Sequence, residues 1–437
     1  MNRNIQEAFE RLRNLGTQEE MRELAGKMDL AAFALTANAH VHLPPNFSAF
    51  ESVGQAVSLA ADQGVRALGA SNYYDFDVYG DFASLTWRHG VFPLFGLEVI
   101  ALVEDLKRAS VLVNDPGNPG RMYLCGKGIT RFDPVTPTAL DLLNRIRRND
   151  ADRMKRMVSL MQEVFGAHGV DTGPEYDEII DKLADRYAAE KSSIWLQERH
   201  LARAFQEEFF VLVPPSERAS RLSAVLGKDV SGAVEDPLKT QQEIRAALMK
   251  VGRPAYVAEK FVDFDQACRL ILELGGIPCY PTLADGAKPI CAYEASPEKL
   301  AETLLRRGIF CAEFIPIRNE PAVLERYVRT LRAAGFVVTG GTEHNTPDLL
   351  PLEPRCVRGL PVPPEIREIF KEGACVVAAH QFLTLHGMRG YVDEAGNLNG
   401  DFAEGEDRIS FFARLGAAVI ARYDEKSNDR EGSSRNA

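Results

Sequence analysis

Short apolar runs alternate with amphipathic helices in two blocks of this chain, and that alternation limits the fold more than any other feature. In the first block, residues 31–39 read as a buried strand, 50–64 as a helix with a glycine stop, 65–71 as a strand, 81–89 as a helix, and 91–103 as a strand interrupted at Gly96. In the second, helices over 264–274, 296–308 and 320–335 each lead into a strand, at 275–280, 309–316 and 336–341. Alternation at this pace specifies parallel βα units. Strands apolar along their whole length are buried on both faces, as parallel strands are.

Between the blocks the text becomes charged and helical, with helices expected at 140–165, 175–189, 193–210 and 241–250. Such a stretch reads as a helical insertion that caps an active site. Residues 4–25 read as one amphipathic helix, 364–372 as another, and the polar stretch after Asp424 as disordered. The expected organisation is an N-terminal helix (1–28), a barrel in two parts (29–129 and 256–350), the insertion (130–255), a C-terminal extension (351–423) and a tail (424–437).

Composition sets the class of partner. An apolar content of 45% supports a sizeable core, and a net charge of −11 argues against an extended nucleic-acid surface or an anionic membrane. A small phosphorylated substrate in a local basic pocket stays compatible with that charge. The sequence holds no apolar run long enough to span a membrane, and its first residues lack the apolar region of a signal peptide. The seven cysteines stand singly, without a Cys-x-x-Cys pair, and suit reduced thiols in a cytoplasmic protein.

His40-Val-His42 closes the first apolar run. Side chains at i and i+2 on a strand leave the same face, so two imidazoles there can grip one ion as neutral nitrogen ligands. In a βα barrel, catalytic groups gather at the C-terminal ends of the strands. Glu98 follows the third strand, Thr342, Glu343, His344 and Asn345 follow the last, and the insertion adds Glu198-Arg199-His200. Imidazole and carboxylate together suit zinc, manganese or iron, one ion or more, and water on such an ion becomes a nucleophile near neutral pH.

Singly, these residues have plainer readings: Glu98 in a local hydrogen-bond network, His200 on a helix surface, Glu343 and His344 in an exposed turn. Their succession at strand ends favours a site. Tyr73, Tyr74, Asp75 and Asp77 read either as substrate contacts or as a solvated helix start, and Lys127 either meets a substrate phosphate or faces water. His380 and His386, in an apolar segment, read as core or cap residues.

The order His-x-His, Gly-Leu-Glu98, Arg199-His200-Leu-Ala-Arg-Ala, Gly-Gly-Ile-Pro278 and Gly-Gly-Thr-Glu343-His resembles the PHP (polymerase and histidinol phosphatase) superfamily over residues 36–350. The branch it looks most like is the nucleoside-bisphosphate phosphatase and oligoribonuclease type, and Gly252-Arg-Pro-Ala-Tyr-Val257 fits that branch. The resemblance implies a distorted seven-stranded (β/α) barrel with a helical insertion and a metal cluster in its mouth, hydrolysing phosphate esters. It implies metal ligation by His40, His42, Glu98, His200 and Glu343, with Arg199 as phosphate clamp.

The departures from that pattern are specific. The Thr-Asp-His of the family reads Ser71-Asn72-Tyr73, its Ala-His-Pro reads Pro281-Thr282-Leu283, and the aspartate after His-x-His is absent from Pro44-Pro-Asn-Phe-Ser48. Glu343 stands for an aspartate, and Asn345 for a histidine that His344 replaces from one residue away. An asparagine carbonyl and a tyrosine hydroxyl are poor substitutes for carboxylate and imidazole on a dication. The expectation is therefore a metal-dependent phosphoesterase with a reduced site. The alternatives are a barrel that has lost hydrolysis and binds a ligand or partner, and an amidohydrolase-like enzyme.

Overall fold

The computed structural model describes residues 3–171, 173–346, 348–402 and 404–434. Its strands are β1 (Ala37–Val41), β2 (Ala67–Ala70), β3 (Phe92–Leu102), β4 (Arg121–Lys127), β5 (Val262–Asp263), β6 (Ile277–Thr282), β7 (Cys311–Phe314) and β8 (Val337–Gly340). They pair in the order β1-β2-β3-β4-β6-β7-β8, and the two-residue β5 joins the far end of β3. All neighbours on that path are parallel except β4, which is antiparallel to both β3 and β6. The ends meet where the amides of Thr342 and Glu343 donate to the His40 carbonyl at 3.1 and 2.9 Å, and the His42 amide donates to the Glu343 carbonyl at 2.8 Å. The result is a nearly closed sheet of seven strands, a distorted (β/α) barrel. Closure brings the last strand end against the first histidine. An added Cβ at Gly341 would lie 2.5 Å from the Cβ of His40, so only glycine fits there.

The chain divides into two compact units. One is Met1–Leu43, Phe50–Leu143 and Val262–Ala437, and the other is Pro44–Ala49 and Asn144–Phe261. The first holds the barrel. The second is helical, built from the distal part of Pro137–Ala167 with Tyr176–Tyr187, Glu198–Leu212, Pro215–Leu226 and Pro237–Ile244. Its core is aromatic and aliphatic, with Phe165 and Phe205 rings 5.4 Å apart. No described helix is long and apolar enough to cross a membrane.

Several elements differ from their sequence expectation for local reasons. The first strand begins at Ala37, because the Asp29 carboxylate accepts from the Ala31 amide at 2.9 Å and holds the alanine-rich run in a turn. The N-terminal helix is two helices, Arg3–Arg13 and Gln18–Lys27, and the second starts with a reciprocal Thr17/Glu20 capping box. The helix expected at 364–372 runs on to Leu385 and packs lengthwise on another, Gly405–Ser434. Gly416 permits that approach, since an added Cβ would fall 1.7 Å from the Cys375 carbonyl oxygen. The stretch from Asp424 to Ser434, expected as a disordered tail, continues this helix, with Tyr423 edge-on to Trp87 at 4.8 Å. Residues 435–437 lie outside the described residues.

His380 ties the long helix to the start of β6. Its Nε2 donates to the Gly275 carbonyl at 2.9 Å, and its Nδ1 accepts from the Tyr391 amide at 3.0 Å. Only the neutral imidazole can do both, and burial lowers its pKa to about 4. A depressed histidine contributes its full stability above the unfolded value near 6.5 and loses it as pH falls toward the folded value. The loss is about 2 kcal/mol by roughly pH 5. The variant His380→Gln, which keeps a donor and an acceptor but does not titrate, should show a flatter decline in Tm between about pH 7 and pH 5. An identical decline in both proteins would contradict this role.

Candidate metal centre

Three buried donor atoms converge at the C-terminal mouth of the barrel. His40 Nε2 lies 3.3 Å from His42 Nε2 and 3.2 Å from Glu98 Oε2, and His42 Nε2 lies 3.5 Å from the same oxygen. The two histidines leave the end of β1 on one face, as their spacing requires. Glu98 reaches them from β3, held beside the Asn72–Tyr73 turn by its amide, which donates to the Asn72 carbonyl at 3.3 Å. Donors bonded at 2.0–2.1 Å to a tetrahedral ion are about 3.3–3.4 Å apart, so this triangle fits one face of such an ion.

The charges around the triangle are arranged for a cation. Burial pushes the Glu98 carboxyl up, but hydrogen bonds from His40 and His42 outweigh it and hold the group well below the usual range. Behind His40, Glu313 Oε2 lies 2.7 Å from Nδ1 in the fully buried barrel interior. Burial opposes its ionisation, yet Lys127 and His40 bring its pKa down to about 2. The barrel interior thus holds two buried carboxylates, Glu98 and Glu313, and the one buried ammonium of Lys127 pairs with Glu313. The remaining negative charge is met by His40. Burial lowers its pKa, but Glu313, aided by hydrogen bonds to Cys125, Glu313 and Glu98, raises it well above the ordinary value. A dication at the triangle would take the place of that proton, and a carboxylate behind a ligating imidazole is the usual device for fixing its tautomer.

Asn72 and Tyr73 support this triangle. Asn72 uses both ends of its amide on one neighbour: Oδ1 accepts from the Leu43 amide at 2.8 Å and Nδ2 donates to the Leu43 carbonyl at 2.9 Å. An aspartate could not donate, so asparagine fixes the backbone that follows His42. Tyr73 stacks on His42 with ring centroids 5.0 Å apart, and its hydroxyl donates to Glu98 Oε1.

The other expected site residues have the following surroundings. Lys127, expected in solvent or at the substrate, is buried because Glu313 and the Ala39 carbonyl (3.0 Å) take its ammonium protons. His344, expected as a ligand, spends both nitrogens: Nδ1 is 2.7 Å from Thr342 Oγ1 and Nε2 is 2.9 Å from the Leu350 carbonyl, with the ring stacked on Phe50. Glu343 stands at the closure beside His42, but its carboxylate is held by Arg318 and by Asn345 Nδ2 at 2.8 Å. Arg199 and His200 belong to the second unit. There Arg199 lies over the Phe47 ring at 5.3 Å. His200 is buried, and burial, then Arg203, Arg186 and Arg199, bring its pKa down to about 3.

Sequence reasoning missed Glu313 and Arg318. The first had a signal: a lone carboxylate within the apolar run Ile309–Ile315 must find a partner if the run is buried. Arg318, in a short turn after β7, had none.

No protein-family model and no curated protein matches the chain. Among solved structures it is similar to a proposed metal-dependent phosphoesterase from Bifidobacterium adolescentis, with 16% identity and a TM-score of 0.51, over 77% of this chain and 96% of that one. An amidohydrolase from Chromobacterium violaceum gives 17% identity and a TM-score of 0.49, over 76% and 95% of the two chains. At these identities the likeness is one of fold.

Replacing Glu313 by glutamine removes the charge behind His40 while keeping the shape. The variant should bind zinc about 10–100-fold more weakly in a chelator competition. Equal affinity in the two proteins would show that Glu313 serves the barrel core alone.

Proposed function

We propose that this protein is a metal-dependent hydrolase of the PHP type that acts on phosphate esters through one ion held by His40, His42 and Glu98. The observation that carries the reading is the convergence of their three donor atoms, backed by Glu313. The triangle is closer to tetrahedral spacing than to the roughly 3.0 Å expected between adjacent donors of an octahedral ion, which favours zinc over manganese. A bound dication supplies Lewis acidity toward a phosphoryl oxygen and acidifies water for attack.

The protein groups have distinct tasks in this reading. Glu313 keeps the proton of His40 on Nδ1, so that Nε2 faces the ion. Asn72 and Tyr73 fix the positions of His42 and Glu98. The Tyr73 hydroxyl, whose pKa burial and Glu98 raise well above the ordinary value, stays protonated and is a donor at the reacting centre. The phosphate-ester assignment rests on the motif order that places Arg199 and His200 between Glu98 and Glu343, and one structural neighbour carries a name of that kind. With Asn72, Tyr73 and Thr282 at family ligand positions, the reading calls for a single ion.

Elemental analysis of the purified protein should find about one equivalent of a transition metal, absent from His40→Ala/His42→Ala. The metal-loaded protein should hydrolyse members of a phosphomonoester panel. Glu98→Ala should lose at least about 100-fold in rate while unfolding cooperatively, since electrostatic groups of this kind carry such factors. A wild-type protein that takes up no metal even after its addition would overturn the reading in favour of a ligand-binding barrel.

A further inference from the structure

Arg318 is a cation at the mouth that the proposed reaction does not yet use. It ends the short turn Pro316–Arg318 that follows β7, on the catalytic side of the barrel. Its guanidinium pairs with the Glu343 carboxylate, and about a third of its side chain (36%) remains accessible. Glu343 is the residue whose backbone closes the barrel against His40 and His42. The pull on Arg318 also comes from farther in. Burial lowers its basicity, but Glu343, and then Glu98 and Tyr123, raise it, so the field of the Glu98 carboxylate reaches this guanidinium.

The turn that carries Arg318 is rigid. Asn319, buried beside it, donates from Nδ2 to the Leu283 carbonyl at 2.7 Å and to Asp285 Oδ1 at 2.9 Å. The Glu320 amide donates to Asp285 Oδ2 at 3.1 Å. On the other side the stem of Arg318 lies on Gly286, where an added Cβ would meet the arginine Cβ at 2.9 Å. Preorganisation of this kind holds a guanidinium fork in place before a ligand arrives.

Its partner sits on strained backbone. Glu343 and His344 both adopt left-handed backbone, with φ of 59° and 52°, a conformation that costs non-glycine residues energy. The Glu343 carboxylate also has a second partner, Asn345 Nδ2, to which it can remain bonded if Arg318 is taken away. Lys127, a buried cation of the barrel interior, is consumed by Glu313 and the Ala39 carbonyl and cannot serve an incoming anion.

We infer that Arg318 receives the phosphoryl dianion of the substrate, and that Glu343 is the counter-ion it releases when that dianion arrives. The planar fork matches two phosphoryl oxygens. The exchange leaves the guanidinium paired with an anion in both states, while the Glu343 carboxylate keeps its bond from Asn345 Nδ2. This assigns the substrate contact to the barrel itself, and it rests on the phosphoesterase reading for the identity of the anion.

The test is titration of the full chain with inorganic phosphate, with and without zinc, followed by calorimetry and accompanied by metal analysis of each sample. Phosphate should bind the wild type. Arg318→Ala should weaken binding by about 10–100-fold at unchanged metal content, and Arg318→Lys should recover part of it, because charge without the fork recovers only part of a bidentate contact. Glu343→Gln should bind phosphate several-fold more tightly, since the competing carboxylate is gone. A merely structural pair would weaken or leave unchanged the binding in both variants. Unchanged affinity in Arg318→Ala, unchanged or weaker binding in Glu343→Gln, or no phosphate binding by the wild type would each overturn the inference. Phosphate binding that depends on Arg318 in a protein without metal would instead sustain the inference and fail the hydrolase reading.

Discussion

The contact between Glu313 and His40 is the one on which the site depends. A carboxylate in the middle of a parallel barrel strand must be satisfied, and here it is satisfied from two sides, by the His40 imidazole at 2.7 Å and by the Lys127 ammonium. Burying such charges costs several kcal/mol for each ion, and mutual attraction offsets that cost only where hydrogen bonds complete the set. Thr339 Oγ1 at 3.3 Å and the Ala39 carbonyl at 3.0 Å complete it. The strands β1, β4, β7 and β8 are thereby joined across the barrel interior, and the imidazole that faces the mouth is fixed in orientation and charge.

From that anchor the mouth is built outward. Asn72 pins the backbone after His42 through an amide that both donates and accepts, and Tyr73 packs its ring on His42 while its hydroxyl meets Glu98. Residues of this type are poor ligands but good supports. His344, the residue before Asn345, is likewise turned into the structure, bonded to Thr342 and Leu350. Beside these supports stand the buried triangle of His40, His42 and Glu98 and the Arg318–Glu343 pair.

The barrel was legible where local pattern and tertiary context agree. The parallel βα units and the convergence of His40 and His42 follow from periodicity of side-chain direction, whereas Glu98, read as following its strand, lies within β3, which runs on to Leu102 in its pairing with β4. The antiparallel β4 was not legible. Its sequence, Arg121–Lys127, becomes a strand through seven residue pairings with β3, a non-local interaction that no short window contains. The same holds for Lys127 and His344. Each carries a side chain suited to ligand chemistry, and only the positions of Glu313 and of the Leu350 carbonyl, distant or turned in the chain, decide that both are used internally. The long C-terminal helix was under-read because its polar end looks like solvent-exposed text, whereas Arg422 and Lys426 donate to carbonyls of the N-terminal segment.

The central claim is that one metal ion sits on the face formed by His40, His42 and Glu98. Anomalous diffraction from crystals of the zinc-loaded protein, recorded at the zinc absorption edge, tests it most directly. The account predicts a single strong peak bonded to His40 Nε2, His42 Nε2 and a Glu98 carboxylate oxygen, at about 2.0–2.2 Å from each. A zinc-loaded crystal with no peak there, or with ions held instead by other side chains, would contradict it.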